Sequence, residues 1–293
     1  GAWDRIVSDV RSFEGHTAVI SYELLAGARR AQARRAVESF PDCEVVVVIT
    51  CRDLGRAVSS AWQERLKFAL TTPLEEWEPR PVDSGPRSEW SWRTMNPAAV
   101  AGRWGATLPA SQVRIVTVPR VADPPTRLWE RFAAATGLED LDLSLDVPSG
   151  NESLGVRAAE VLRLVNEQDL GPIDSAREQS RWLRDTLAHQ VLSGLDDEPM
   201  TITDPQLAEA QRQADDAIAT IKRRGWPVYG DLGDIEATRR EGRLPGDVPP
   251  EELLDVAVRT IVALLLEVRT HQRRHGRSDP DTATSRVGRL IGS

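Results

Sequence analysis

The chain has 293 residues, of which 40% are hydrophobic, so it is long enough for one large globular domain or for a domain with a substantial appendage. Its formal net charge is −8 at pH 7, which argues against general nucleic-acid binding, because that function needs a basic surface. Neither a signal peptide nor a long apolar run is present, so we expect no membrane partner and a cytoplasmic location.

The two cysteines, Cys43 and Cys51, flank a single predicted strand. Residues at opposite ends of a strand are too far apart to form a disulfide. No spacing of histidine, cysteine or acidic residues is typical of a metal site. The sequence therefore predicts neither a disulfide framework nor a bound metal, and it favours a reducing compartment.

The first half of the chain alternates strands and helices. Residues 45–49 are an unbroken β-branched run, typical of a strand buried on both faces of a parallel sheet. Further strands are predicted over 17–21 and 113–118, and a helix with one apolar stripe follows the central strand over 54–70. This alternation predicts an α/β fold with a parallel sheet, in which only three strands are visible.

The second half is predicted to be mainly helical. We expect a single domain over 1–275, with an α/β core over 1–140 and a helical part over 150–275 that packs on the sheet. The remaining residues, 276–293, are polar and are predicted to form a flexible tail. The helices of this half are predicted over 155–168, 174–193, 204–224 and 249–274.

An arginine and a serine mark the connection between the central strand and its helix. Ligands of open parallel sheets bind at the carboxyl ends of strands, and helix N-termini offer N–H groups to phosphate. Arg52 lies at such a place, and the helix face opposite the apolar stripe carries Arg56, Ser60, Gln63 and Lys67. Arg52 and Ser60 are therefore candidates to bind a phosphate group. An ordinary solvated helix face preceded by an arginine in a turn explains the same spacing equally well.

The run RDLGRAVSS after a hydrophobic strand resembles the 3′-phosphate-binding motif of sulfotransferases. In that family an arginine at the strand end and a serine eight positions later hold the 3′-phosphate of 3′-phosphoadenosine 5′-phosphosulfate (PAPS). The matching residues here are Arg52 and Ser60, while the proline common two positions after the arginine is Leu54. Bacterial, actinobacterial-type sulfotransferase-like proteins are similar to an ordered set of further segments: VISYELL, RWGATLP, VRIVTVPR, LWERFAAATGL and NESLG.

This resemblance implies a P-loop-like three-layer fold of the sulfotransferase type, with a parallel sheet and a helical C-terminal half. It implies sulfuryl transfer from PAPS to a hydroxyl or amine of a small-molecule or glycan acceptor, without a metal. Some family members have a glutamate or histidine near the end of the strand that corresponds to 17–21, and this residue deprotonates the acceptor. Glu23 is accordingly the candidate catalytic base. Alternatively, Glu23 lies in the first turn of the next helix, where the helix dipole favours an acidic residue.

One motif of the family does not occur in these residues. It is a loop of the PKTGTT or PKSGT type, which wraps the 5′-phosphosulfate with backbone N–H groups and a lysine. In the family this loop precedes the segment with which the chain begins, so we expect the first βα unit of the fold to be lacking. Two alternatives therefore stay open: a non-catalytic nucleotide-binding or protein-interaction relative, and a P-loop kinase relative.

Overall fold

A parallel sheet of three strands lies at the centre of the computed structural model. The structure describes residues 1–80, 90–120, 124, 126–141, 144, 153–195 and 197–275. The strands, in spatial order, are β1 (Val47–Cys51), β2 (Val113–Thr117) and β3 (Val228–Tyr229). Both pairings are parallel, with Val47 opposite Val113 and Ile115 opposite Val228. The predicted α/β class with a parallel sheet is therefore confirmed.

Burial differs between β1, which contains most of the predicted strand 45–49, and its neighbour β2. In β2, Val113, Ile115, Val116 and Thr117 are fully buried. Most of β1 is only half-buried and Thr50 is exposed, because within the described residues this strand pairs with β2 alone. The expectation that residues 45–49 form a strand buried on both faces is therefore wrong in its burial, although the strand exists.

The strand predicted over 17–21 is also wrong. These residues form no strand, and Val19 and Tyr22 nearby are 53% and 63% exposed. A β-branched composition favours extended backbone, but a strand forms only where a neighbour completes its hydrogen bonds. No described strand lies beside this segment. The sequence also missed β3, since two residues are too few to show a period of two.

Helices account for most of the remaining described residues. They are α1 (Ala2–Ser12), α2 (Arg30–Glu38), α3 (Leu54–Leu66), α4 (Trp92–Met95), α5 (Pro97–Trp104), α6 (Arg127–Thr136), α7 (Val156–Asn166), α8 (Ala176–Gln179), α9 (Asp204–Arg224) and α10 (Pro250–His275). A π-helix, Ser180–Val191, continues α8, and a 3-10 helix, Glu23–Gly27, precedes α2. The helices predicted in the second half correspond to α7, α8 with the π-helix, α9 and α10. The predicted tail 276–293 lies outside the described residues.

The apolar stripe of α3 joins the sheet region to the helical half. Val58, Trp62 and Leu66 from α3 pack in one core cluster with Leu162 from α7 and Ile221 from α9. Two further helices contact the sheet: α5 packs against β1, and α6 packs against β2 and β3.

Two residues of the opposite, polar face of α3 are also buried, and the Gln63 amide is hydrogen-bonded to the backbone of Leu154. Arg56 and Ser60, which are half-buried, are the part of this face that a ligand could reach.

Candidate functional site

Arg52 lies between the end of β1 and the beginning of α3, at the carboxyl edge of the sheet. The helix begins at Leu54 because Asp53 acts as its N-cap: the carboxylate accepts a hydrogen bond of 3.1 Å from the backbone N–H of Arg56. The strand, turn and helix expected around Arg52 are thus present, and the cap fixes where the arginine leaves the sheet.

A distant loop folds over this turn. The backbone N–H and the hydroxyl of Thr238 both donate to the carboxylate of Asp53, the former at 3.2 Å. Gly55 makes the approach feasible, since a Cβ at this position would lie 2.9 Å from the carbonyl oxygen of Thr238. The loop brings Arg240 close enough to Arg52 for the two charges to interact.

Arg56 and Arg240 both lie near enough to Arg52 to interact with it electrostatically. The pKa of Arg52 is lowered, first by loss of hydration and then by repulsion from Arg56 and Arg240, while Asp53 opposes the shift. Within the described residues, the half-buried guanidinium of Arg52 has no hydrogen-bond or ion-pair partner. A half-buried cation beside like charges is stabilised by an anion, and a guanidinium suits phosphate in particular.

Ser60 lies one helical turn after Arg56 on the same polar face of α3. The side chain is half-buried, and its hydroxyl makes no hydrogen bond to the part of the chain that the structure describes. The same face continues to Glu64 and Lys67. The structure therefore places Arg52 and Ser60 at one end of a continuous polar face.

A cluster of titratable side chains occupies the other end of this face. Lys67 is 5% exposed, and its Nζ lies 2.5 Å from Oε1 of Glu64. Glu23, at the start of the 3-10 helix, and His189, from the π-helix, both lie near enough to this pair to interact electrostatically with it. The structure thus puts Glu23 beside α3, in the first turn of a 3-10 helix rather than at the end of a strand.

The environment of this cluster changes the proton affinity of two members. The pKa of Glu23 is raised, first by loss of hydration and then by repulsion from Glu64, while Lys67 and Arg184 oppose the shift. The pKa of His189 is lowered, first by loss of hydration and then by Lys67. The Glu23 side chain nevertheless remains exposed, so its carboxylate is accessible. A carboxylate with raised proton affinity at an accessible position has the properties of a general base.

The segment that carries Glu23 is fixed by α4 and α5. Arg93, Arg103 and Trp104 all donate hydrogen bonds to carbonyl groups of residues 25–28, at distances from 2.7 to 3.2 Å. Burial, with a smaller effect of Arg93, lowers the pKa of Arg103 to about 10. These donors act on the carbonyl end of the 3-10 helix Glu23–Gly27, where cations and N–H donors are favourable.

Nothing in the local sequence indicates that Arg240 and His189 belong to the site. Arg240 reaches Arg52 only through the contact between Asp53 and Thr238, which are 185 positions apart. His189 lies in a helical stretch whose period does not distinguish it from other polar positions. A basic run near 239–243 is visible in the sequence, but nothing in its spacing relates it to the strand end.

The described residues were also compared with what a disulfide, a metal site or a membrane span requires. Cys43 and Cys51 are both free, and burial raises the pKa of the Cys51 thiol to about 12. Among the described residues, no group of three His, Cys, Asp or Glu side chains is arranged to hold a metal ion. In the same part of the chain, no helix has the length and apolar character needed to cross a bilayer.

Comparison with protein-family models, with curated proteins and with solved structures found no match.

Proposed function

We propose that the chain binds PAPS and transfers its sulfuryl group to a hydroxyl or amine of a small-molecule or glycan acceptor. The observation that carries the proposal is the half-buried guanidinium of Arg52, which lacks a partner among the described residues and lies beside two further arginines. A 3′-phosphate fits this place: Arg52 can donate two parallel hydrogen bonds, and the hydroxyl of Ser60 can donate a third. The same two residues are the ones that match the 3′-phosphate-binding motif in the resemblance to sulfotransferases.

The two ends of the site lie along the polar face of α3. Arg56 and Glu64 are separated by a rise of about 12 Å along the helix axis, at 1.5 Å per residue. The 3′-phosphate and the sulfuryl group lie at opposite ends of the PAPS ribose. One ligand lying along α3 would therefore have its phosphate at the arginines and its reacting sulfur toward Glu23 and Lys67.

The proposed reaction uses Glu23 as the base. The acceptor oxygen attacks sulfur while its proton passes to the Glu23 carboxylate. The bond between sulfur and the bridging oxygen of the 5′-phosphate breaks, and adenosine 3′,5′-bisphosphate leaves with the electron pair. Positioning of the two reactants supplies much of the rate.

The binding half of the proposal is tested by titrating adenosine 3′,5′-bisphosphate calorimetrically. Arg52→Ala is expected to weaken binding by about 10- to 100-fold, the value of a lost charge-assisted hydrogen bond. Adenosine 5′-monophosphate, which lacks the 3′-phosphate, should bind wild type and variant equally. Arg34→Ala serves as the matched control, because this exposed arginine of α2 pairs with Glu38 away from the arginine cluster. Equal affinity of wild type and Arg52→Ala for the bisphosphate would refute the 3′-phosphate assignment.

The catalytic half is tested by incubating PAPS with a panel of phenols, alcohols, amines and sugars. With any acceptor that is sulfated, Glu23→Gln should lower the rate at least about 100-fold and leave bisphosphate affinity unchanged. The wild-type rate should fall as the pH decreases through the raised pKa of Glu23, because the base is then protonated. Arg52-dependent binding without transfer to any acceptor would favour the non-catalytic nucleotide-binding alternative, and preference for ATP would favour the kinase relative.

A further inference from the structure

The helix α10 carries a row of exposed apolar side chains. Its inner face packs on the protein through Val256 and Thr260, which are buried, and contacts α7 and the π-helix. The outer face bears large apolar residues that are each more than half exposed: Leu254, Val258, Ile261, Val262, Leu265, Leu266 and Val268. Apolar patches of this size and continuity are uncommon on a surface that faces only water.

The spacing of these residues is that of a helix seam. Leu254, Val258, Ile261, Leu265 and Val268 follow one another at intervals of four, three, four and three residues. This alternation is the heptad pattern with which one helix packs along another. From Leu265 onward every side chain of α10 that the structure describes, up to residue 273, is exposed to solvent. A helix is marginal in water without packing, so exposed apolar side chains along these turns favour a partner.

The charges of α10 indicate what that partner is. The first turns are acidic, with Glu251, Glu252 and Asp255, and the last turns are basic, with Arg269 and Arg273. A second α10 running antiparallel would place each acidic end beside a basic end and would oppose the helix dipoles favourably. A parallel arrangement would place like charges side by side. Two-fold dimers of this kind are the commonest protein oligomers.

We propose that two copies of the chain associate through an antiparallel pair of α10 helices. In the register that the heptad gives, Val258 packs against Val268 of the second copy, and Ile261 packs against Leu265. Asp255 then lies beside Arg269 of the second copy, twice per dimer because of the symmetry. Asp255 already has a weak intrahelical neighbour, Arg259 at 3.8 Å, and both side chains are exposed. It therefore remains available to a second arginine.

The oligomeric state tests the proposal. Sedimentation velocity of the wild type should show a dimer that dissociates on dilution between about 100 and about 1 μM. Ile261→Gln combined with Leu265→Gln should weaken the dimer at least about 100-fold, because four apolar side chains per dimer lose their burial. Tyr22→Gln removes an equally exposed apolar residue elsewhere and should leave the dimer intact. Circular dichroism checks that each variant keeps its helices, which is expected because the altered residues are exposed.

Charge reversal tests the direction of the pair. Asp255→Arg and Arg269→Asp should each weaken the dimer, and the double variant should restore it. Glu267→Arg makes the same change in charge off the seam and is the control. A monomeric wild type at the highest concentration would overturn the proposal. A dimer that neither the glutamine nor the charge variants affect would overturn it as well, because another surface or partner arrangement would then be responsible.

Discussion

At the residue scale, Gly55 controls how closely the loop around Thr238 approaches the start of α3. Its missing side chain leaves room for the Thr238 carbonyl, which would otherwise lie 2.9 Å from a Cβ. The contact fixes Asp53, the helix cap, and through the loop it fixes Arg240 beside Arg52. Gly55 makes no hydrogen bond through a side chain, but its small size allows the loop to bring Arg240 close to Arg52.

We therefore expect Gly55→Ala to shift this loop. The overlap with a backbone atom should lower the free energy of unfolding by about 1–3 kcal/mol, and the loss of Arg240 from the cluster should weaken bisphosphate binding. Gly102→Ala in α5 is the matched control, since nothing lies within 4 Å of its missing Cβ. That substitution should raise helix stability by about 0.5–1 kcal/mol without affecting binding. Urea denaturation and nucleotide titration measure both effects, and a Gly55→Ala variant that behaves like wild type would contradict the role of the close contact.

At the element scale, the position of Glu23 depends on α4 and α5. Arg103 alone donates to the carbonyl groups of Ala26, Ala28, Arg93 and Ala99. The 3-10 helix Glu23–Gly27 has no buried residue of its own. These hydrogen bonds, with those of Arg93 and Trp104, are therefore what hold it against the protein.

Arg103→Ala should release this 3-10 helix while leaving the rest of the fold in place. Hydrogen exchange of peptides covering residues 22–28 should become at least about 10-fold faster, because a lost hydrogen bond to a charged donor is worth about 1.5–3 kcal/mol. Arg114→Ala is the control: that arginine donates to the carbonyl of Ala135 at 2.7 Å, so its loss should affect α6 and not residues 22–28. Unchanged exchange in Arg103→Ala would show that other contacts fix Glu23.

Side-chain hydrogen bonds fix the segment that follows the shortest strand, β3. The hydroxyl of Thr117 donates to Asp234 at 2.8 Å, and Arg131 donates to the same carboxylate at 2.6 Å. Gly230, at φ +124°, allows this approach, since its Cβ would lie 2.1 Å from the Thr117 hydroxyl oxygen. Side chains from β2 and α6 therefore fix the segment that follows β3, while β3 itself pairs with β2, and no local sequence period can reveal either contact.

At the scale of the whole molecule, the sequence correctly predicted the helices and strands that depend on a local pattern of residues. The apolar stripe predicted α3 and its buried face, and continuous β-branched runs predicted β1 and β2. The strand predicted over 17–21 is wrong because propensity does not supply a neighbouring strand. For the candidate site, spacing made Arg52 and Ser60 candidates without deciding against an ordinary solvated face, and the resemblance to sulfotransferases gave them a role and added Glu23. Arg240 and His189 could not be predicted, because tertiary contacts across the chain bring them to the site.

The contact between Asp53 and Thr238 has a consequence for the order of folding. Arg52 and Ser60 lie within one strand and helix, but the third arginine arrives only when a loop spanning 185 positions has closed. Because the entropic cost of closing a loop must be met before a non-local contact forms, we expect this contact to form late in folding. In a partly folded chain the proposed phosphate site would therefore lack Arg240. A nucleotide that needs all three arginines would bind only the finished fold, so the melting temperature should rise with nucleotide concentration by the full amount that linkage allows.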